Sequence, residues 1–283
     1  MDAFVAQWRT RLSATVDEHA LAGDDATALT FRPAGAPAFA LALWHGGGND
    51  RVWGFWALIE AVLEAGGAVT TAHLPGHGPG RDAFSLSAAR SRLAALLTHA
   101  DRLAPHTALL GQSMGGALVL DGLAGGLRPD RAIVVSAPLA IPLGPGLLRE
   151  LGFWWGPEAR RARRYVSAIE ALPAFGPFRR ARFPVRAAEP YVAAFRRALA
   201  ELDLERRLAA GRAQLPPVLL VHGTHDGVIP YFHAERLAAA LNDAGTLRPV
   251  PGGHHFNPLL RDDVLGPVLD WARAASPHPV AAP

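Results

Sequence analysis

The chain has 283 residues, of which 50% are hydrophobic and 19% charged, so it is long enough for one large domain with an insertion and too apolar for a disordered protein. It contains no cysteine, which excludes a disulfide framework and a thiolate metal site. The formal charge is only +3 and the 28 basic residues are all arginine, so we expect no nucleic-acid partner.

The first predicted elements alternate between helix and strand. Apolar residues at Phe4, Val5, Trp8, Leu12 and Val16 have the spacing of an amphipathic helix within residues 1–22. Strand-length apolar runs and helical patterns then follow, with strands at 27–32, 38–44, 68–73, 107–110 and 132–135 and helices at 51–65, 85–103 and 114–123. This alternation predicts an α/β fold with a mostly parallel sheet, covered by helices on both faces.

Strand signals are absent between residues 139 and 213. This stretch is rich in proline, glycine, arginine and aromatic residues, with helical periodicity at 166–172 and 191–208. The alternation then returns, with strands at 217–222 and 247–250 and helices at 234–241 and 264–275. We therefore predict one core domain made of residues 1–138 and 214–283, with a helical insertion, residues 139–213, between two strands of its sheet.

The first residues do not have the pattern of a signal peptide. Asp2, Gln7, Arg9 and Arg11 interrupt any apolar run, and no later stretch is long and apolar enough to span a bilayer. The lack of cysteine is compatible with a reducing compartment. We expect a cytoplasmic protein without an integral membrane segment.

A serine between glycines is the first candidate for chemistry. Residues 111–116 read Gly-Gln-Ser-Met-Gly-Gly and join the strand at 107–110 to the helix at 114–123. Ser113 therefore has the strand–turn–helix context of a nucleophile elbow, in which glycines avoid clashes and the helix N-terminus leaves N–H groups unpaired beside the serine. We interpret Ser113 as a nucleophile; the alternative is a tight turn with an incidental serine.

This motif resembles that of the α/β-hydrolase-fold serine hydrolases, and of their lysophospholipase, monoacylglycerol lipase and thioesterase-like members in particular. Gln112 stands where many members have a histidine, a departure that others share. The resemblance implies an α/β-hydrolase fold in which the insertion at 139–213 forms a lid over the nucleophile. It also implies a small-molecule acyl ester or thioester substrate, and we expect neither a cofactor nor a metal.

Residues 45–48, His-Gly-Gly-Gly, follow the strand at 38–44 and resemble the oxyanion loop of the same family. Glycines let the backbone approach a substrate carbonyl closely and turn its N–H groups towards it. We expect one donor from the N–H of Gly47, with Gly46 and Gly48 as close alternatives, and a second from Met114. His45 itself is expected to be structural, and a plain glycine turn is the alternative reading of the loop.

The acid is expected in the loop after the strand at 217–222. Residues 222–230 resemble the acid loop of the family, with Asp226 three residues after Gly223, and the chain order serine, acid, histidine fits the fold. Asp226 would orient the imidazole of the base and stabilise its protonated form. The alternative is an Asp-Gly turn or a helix cap, and His222 and His225 are expected to be loop and packing residues.

Two adjacent histidines compete for the base. Gly252-x-x-His255 resembles the common ending of these hydrolases, whereas Gly252-x-His254 resembles the thioesterase ending. Adjacent side chains in a loop point in different directions, so only one of them can reach Ser113. We favour His255 and keep His254 as the alternative.

The insertion holds the candidate substrate-binding residues. Residues 151–156 form an aromatic patch in which Trp154 and Trp155 are either an acyl-binding wall or ordinary core packing. Arginines between 160 and 182 suit an anionic substrate, but we interpret them as a solvated helical face.

Together the motifs predict hydrolysis of an ester or thioester through an acyl-enzyme intermediate. A carbon–carbon bond hydrolase or an acyltransferase could use the same triad. A non-catalytic binding protein of the same fold is the alternative from another class, and such proteins usually lack a triad member.

Overall fold

The computed structural model describes residues 13–21, 26–47, 51–52, 54–77, 82–141, 191–211 and 214–274. The strands are β1 (Thr15–Ala20), β2 (Thr27–Arg32), β3 (Ala40–Trp44), β4 (Ala68–Ala72), β5 (Thr107–Gln112), β6 (Arg131–Val135), β7 (Val218–Gly223) and β8 (Gly245–Val250). The α-helices are α1 (Trp56–Glu64), α2 (Leu86–Asp101), α3 (Met114–Ala124), α4 (Tyr191–Leu202), α5 (Leu204–Gly211), α6 (Phe232–Leu241) and α7 (Asp262–Arg273).

The strands form one sheet in the order β1-β2-β4-β3-β5-β6-β7-β8. Neighbours from β4 to β8 are parallel, and β2 runs antiparallel to both β1 and β4. The strand order reverses at β3, which lies between β4 and β5. In open parallel sheets the crevice at the carboxyl ends of the strands beside such a reversal is the usual ligand site.

Helices cover both faces of the sheet, because successive strand residues point in opposite directions. In β3, Ala42 and Trp44 belong to the core shared with α2 and α3, whereas Leu41 and Leu43 belong to the core shared with α1 and α7. Every residue of β3, β4, β5 and β7 is buried, which explains their nearly continuous apolar sequences. The predicted fold class is confirmed.

The described part of the insertion is helical and is joined to the core by a buried carboxylate. The chain leaves the sheet after β6 and returns in the neighbouring strand β7, with α4 and α5 between them. Asp121 of α3, 1% exposed, accepts from Arg207 of α5 and from Arg90 of α2, whose Nε lies 2.7 Å from Oδ2. Residues 142–190 lie outside the described residues, so the lid and the domain boundaries stay predictions.

The helix predicted across residues 1–22 is wrong in its last part. Thr15–Ala20 is β1, which pairs with β2 in antiparallel register and places Val16 opposite Phe31. This strand forms the edge of the sheet and most of its side chains are exposed, so it lacks the apolar alternation that identifies a half-buried strand. Residues 1–12, which carry the other apolar positions, lie outside the described residues.

Helix length also bears on membrane insertion. The helix α2 has 16 residues and a polar face, and no helix within the described ranges is both long and apolar enough to cross a bilayer. The cytoplasmic location stays a prediction.

Candidate active site

Ser113 lies in the one-residue turn between β5 and α3. Its backbone has φ 52° and ψ −124°, in the left-handed half of dihedral space that a non-glycine residue rarely adopts. The turn is held by hydrogen bonds from Ser113 N to Val135 O, 2.8 Å, and from Ala117 N to Ser113 O, 3.1 Å. The strained turn lifts the serine above the carboxyl end of the central strand.

Glycines beside the serine allow three backbone segments to meet. A Cβ atom on Gly111 would lie 2.5 Å from the carbonyl oxygen of Gly115, and a Cβ on Gly115 would lie 2.3 Å from that of His45. Both distances are far inside van der Waals contact. The first turn of α3 can therefore pack against β5 and the loop after β3 only because these positions have no side chain.

His255 connects the serine to a carboxylate. Its Nε2 lies 3.1 Å from Ser113 Oγ and its Nδ1 lies 2.8 Å from Asp226 Oδ2. Because a carboxylate can only accept, Nδ1 carries the proton and Nε2 is left to accept from the serine hydroxyl. The structure brings together Ser113, Asp226 and His255 from the ends of β5, β7 and β8.

Asp226 is surrounded by donors. Its Oδ1 accepts from the backbone N–H groups of Val228, 2.9 Å, and Ile229, 2.7 Å, while Oδ2 faces His255 and His222. Burial alone would raise the pKa of Asp226, but electrostatic attraction to His255 and hydrogen bonds from His222 and His255 outweigh it and hold the pKa well below its usual value. The group is therefore a carboxylate.

His222 has a closer relation to the acid than the sequence suggested. Its Nε2 lies 2.8 Å from the carbonyl oxygen of Ile229 and 3.3 Å from Asp226 Oδ2. Because both are acceptors, Nε2 carries a proton and bridges the two ends of the acid loop. Its place at the end of β7, four residues before Asp226, is a signal that could have revealed this contact.

His254 has different neighbours from His255. Its ring lies beside that of His225, with centroids 6.2 Å apart, and its backbone N–H donates to Asn257 Oδ1 at 2.7 Å. The two adjacent histidines therefore diverge, and it is His255 that reaches Ser113.

The glycine loop after β3 approaches Ser113 at Gly46. A Cβ on Gly46 would lie 3.0 Å from Ser113 Cβ and 3.7 Å from its Oγ. His45 Nδ1 lies 2.8 Å from the Gly46 carbonyl oxygen, and His45 Nε2 accepts from Leu74 N–H at 2.8 Å. The C=O and N–H of a trans peptide point in opposite directions, so holding the Gly46 carbonyl also orients the N–H of Gly47.

The remaining predicted site residues are placed unequally. Met114, 2% exposed, is the first residue of α3, where backbone N–H groups have no partner within the helix. Gly48, Trp154 and Trp155 lie outside the described residues. The choice of donor within the glycine loop stays a prediction.

Three imidazoles gather behind this loop. The ring centroids of His73 and His77 lie 5.9 Å and 5.1 Å from that of His45. Burial, and then the charges of its neighbours, lower the pKa of His45 well below its usual value and that of His73 to about 3, so both rings are neutral. No group of three or more histidine, cysteine or acidic side chains in the described part of the chain is arranged to hold a metal ion.

Comparison with known proteins decides the family. The sequence model of the alpha/beta hydrolase family matches residues 41–266, which is most of the chain and includes Ser113, Asp226 and His255. The chain belongs to the alpha/beta hydrolase family. Its sequence matches no curated protein.

Several solved structures share the fold of this chain at low sequence identity. One is a 2-hydroxy-6-oxo-6-phenylhexa-2,4-dienoate hydrolase from Rhodococcus sp. strain RHA1, with a TM-score of 0.60, 22% identity and coverage of 92% of this chain and 100% of the other. A monoacylglycerol lipase from Paleococcus ferrophilus has a TM-score of 0.63, 18% identity and coverage of 88% and 99%. An esterase from Rhodococcus sp. ECU1013 has a TM-score of 0.60, 21% identity and coverage of 92% and 99%.

The geometry of this alpha/beta hydrolase suits nucleophilic attack on a carbonyl carbon. A hydroxyl, an imidazole and a carboxylate are hydrogen-bonded in series, and a glycine loop and a helix N-terminus lie beside the hydroxyl. These parts meet at the carboxyl ends of the strands, where the strand order reverses.

Proposed function

We propose that the chain is a serine hydrolase that cleaves carboxylic ester or thioester bonds through an acyl-enzyme intermediate. The proposal rests on one observation, the continuous series of hydrogen bonds from Ser113 Oγ through His255 to Asp226 at 3.1 Å and 2.8 Å. Membership of the alpha/beta hydrolase family supports it.

In the first step Ser113 Oγ attacks the carbonyl carbon of the substrate. His255 Nε2 takes the hydroxyl proton, and the ionised Asp226 stabilises the resulting imidazolium. The N–H groups of Gly47 and Met114 donate to the oxyanion. When the tetrahedral intermediate collapses, His255 returns the proton to the departing alcohol or thiol, and the acyl group remains on Ser113.

In the second step water replaces the leaving group. His255 Nε2 takes a proton from the water as its oxygen attacks the acyl carbon, and the same donors hold the second oxyanion. Collapse releases the carboxylic acid and returns the proton to Ser113. No cofactor enters either step.

A fluorophosphonate probe and a series of p-nitrophenyl and CoA esters test this proposal. We expect the probe to modify Ser113 in the folded protein, and Ser113→Ala to lose labelling and to lower kcat/KM for the best ester by about 10⁴-fold or more. Ser85→Ala is the matched control, because Ser85 caps α2 at the surface. A folded wild-type protein that neither reacts with the probe nor turns over any ester would contradict the proposal.

A carbon–carbon bond hydrolase is the second candidate. The Rhodococcus hydrolase, which is named for a phenylhexadienoate substrate, has the same fold as this chain. A serine nucleophile and a histidine base can also serve in the hydrolysis of a carbon–carbon bond. Comparison of turnover on that dienoate with turnover on p-nitrophenyl esters separates the two. We expect kcat/KM to be higher for the esters, and the reverse order would favour the second candidate.

A further inference from the structure

Helix α4 of the insertion brings an aromatic ring against the oxyanion loop. Phe195 is 3% exposed, and a Cβ atom on Gly47 would lie 2.0 Å from its Cε2. Two further ring atoms would lie 2.8 and 2.9 Å from that Cβ. The ring therefore occupies the space that any side chain at position 47 would need, and it touches the backbone of the loop.

Other rings hold Phe195 in this place. Phe84 meets it edge to face, with centroids 4.6 Å apart and planes at 72°. His77 lies nearly parallel to it at 6.1 Å, and the His77 ring in turn lies beside that of His45. In a close-packed cluster of this kind the ring of Phe195 cannot move aside without a loss of contacts.

The glycine loop needs such support because glycine can adopt many more backbone conformations than other residues. On one side, Gly46 lies against Ser113 and its carbonyl is held by His45. On the other side, the ring of Phe195 lies against Gly47. Oxyanion donors act only when they are already aimed at the reacting oxygen, and a displacement of about 1 Å can cost roughly 100-fold in rate.

We propose that Phe195 is a positioning residue for the oxyanion loop, and that it fixes Gly47 with the N–H of this residue turned towards the reacting carbonyl. This inference rests on the proposed function. In this proposal, a residue of α4 in the inserted segment positions a loop that follows strand β3 of the core. We also predict that position 47 tolerates only glycine while Phe195 is present.

Two substitutions of the ring test the proposal through a split between kcat and KM. Phe195→Leu keeps most of the apolar volume and Phe195→Ala removes it. For the best p-nitrophenyl ester we expect kcat and the fluorophosphonate labelling rate to fall about tenfold or more in both, with KM changed by less than about threefold, because only the transition state uses the oxyanion donors. Leu199→Ala is the control: it removes apolar volume from the same core one turn further along α4 and should leave kcat near that of the wild type.

A double substitution tests the contact itself. Gly47→Ala forces a methyl group into the ring of Phe195, and we expect the labelling rate to fall about 100-fold. Gly47→Ala combined with Phe195→Ala removes the obstacle, and the labelling rate of the double variant should be about that of Phe195→Ala alone, which is the non-additivity expected of residues in contact.

The outcomes separate this inference from the proposed function. A wild-type protein that reacts at Ser113 supports the function whatever the Phe195 variants do. If both folded Phe195 variants then react as fast as Leu199→Ala, or if the losses of Gly47→Ala and Phe195→Ala multiply in the double variant, the positioning role is wrong. A wild-type protein that does not react overturns both.

Discussion

Asp226 illustrates how single residues are fixed in this site. Both of its oxygens are occupied: two backbone N–H groups of the acid loop donate to Oδ1, and His255 and His222 face Oδ2. An amide at this position could not accept from all four donors. The four donors therefore require a carboxylate at this position. The carboxylate in turn stabilises the His255 tautomer that is protonated on Nδ1, in which Nε2 can accept from the serine hydroxyl.

The adjacent histidines should differ sharply in their effect on activity. His255→Ala removes the imidazole that lies within hydrogen-bond distance of Ser113, and we expect kcat/KM for an ester to fall by about 10⁴-fold or more. His254→Ala should retain activity within about tenfold, because its ring faces His225. Steady-state kinetics on the two purified variants check this, and equal losses would contradict it.

The places of residues that depend on backbone geometry could be predicted from the sequence. Ser113 and Asp226 follow buried strands at fixed spacings from glycines, and those glycines are required by close backbone approach. The sequence favoured His255 over His254 but could not exclude His254, because the direction of a side chain in a loop depends on packing with distant residues. The contact of His222 with Asp226 was missed because it needs the loop to fold back on the end of β7.

At the scale of secondary-structure elements, Asp121 links three helices. The carboxylate lies on α3, the helix that follows Ser113, and its partners Arg90 and Arg207 come from α2 and α5. A buried carboxylate that loses a cationic partner keeps the cost of its desolvation. The last helix of the insertion is thereby tied to the helix that carries Met114.

Neighbouring arginines of α5 allow this link to be measured. Arg207→Ala should lower the free energy of unfolding by about 1–3 kcal/mol, because the buried Asp121 loses a charged donor. Arg206→Ala should cost less than about 0.5 kcal/mol, because its ion pair with Asp203 is exposed to solvent. Urea unfolding of both variants gives the two values, and similar costs would show that the Asp121 link is weak.

Elements with two buried faces were predicted almost to the residue, and the edge strand β1 was not. The predicted strand at 27–32 coincides with β2, and that at 107–110 lies within β5. In contrast, β1 was assigned to a helix because only pairing with β2 defines it. The predicted start of the helix at 51–65 was early, because α1 begins only at Trp56, after Gly54 turns the chain at φ 87°.

For the molecule as a whole, buried neutral histidines link stability to pH. Burial, followed by nearby charges, lowers the pKa of His73 to about 3 and of His233 to about 4, and lowers that of His45 well below its usual value. His233 Nδ1 accepts from the N–H of Leu139, which a protonated ring could not do. In the unfolded chain these three histidines bind protons as the pH falls below about 6.5, but in the folded chain they stay neutral until much lower pH. Their contribution to the free energy of unfolding is complete above pH 6.5 and declines below it.

The free energy of unfolding should therefore fall between pH 7 and about pH 5. Each of the three histidines contributes a slope of up to about 1.4 kcal/mol per pH unit below its unfolded pKa. Urea titrations at several pH values measure how steeply the free energy of unfolding changes with pH. His73→Gln removes one of the three histidines and should reduce this slope by up to about 1.4 kcal/mol per pH unit. A stability that is constant over this range would contradict the assignment of neutral rings.

The dihedral angles of Ser113 have a consequence for how this sequence can drift. A non-glycine residue at φ 52° and ψ −124° costs about 1–3 kcal/mol, and glycine does not incur this cost. Ser113→Gly should raise the midpoint of thermal unfolding above that of the wild type, whereas Ser113→Ala, which keeps the Cβ atom, should not. Under selection for stability alone, we expect glycine to replace serine at this position. The serine is therefore explained by selection for something other than the stability of the fold.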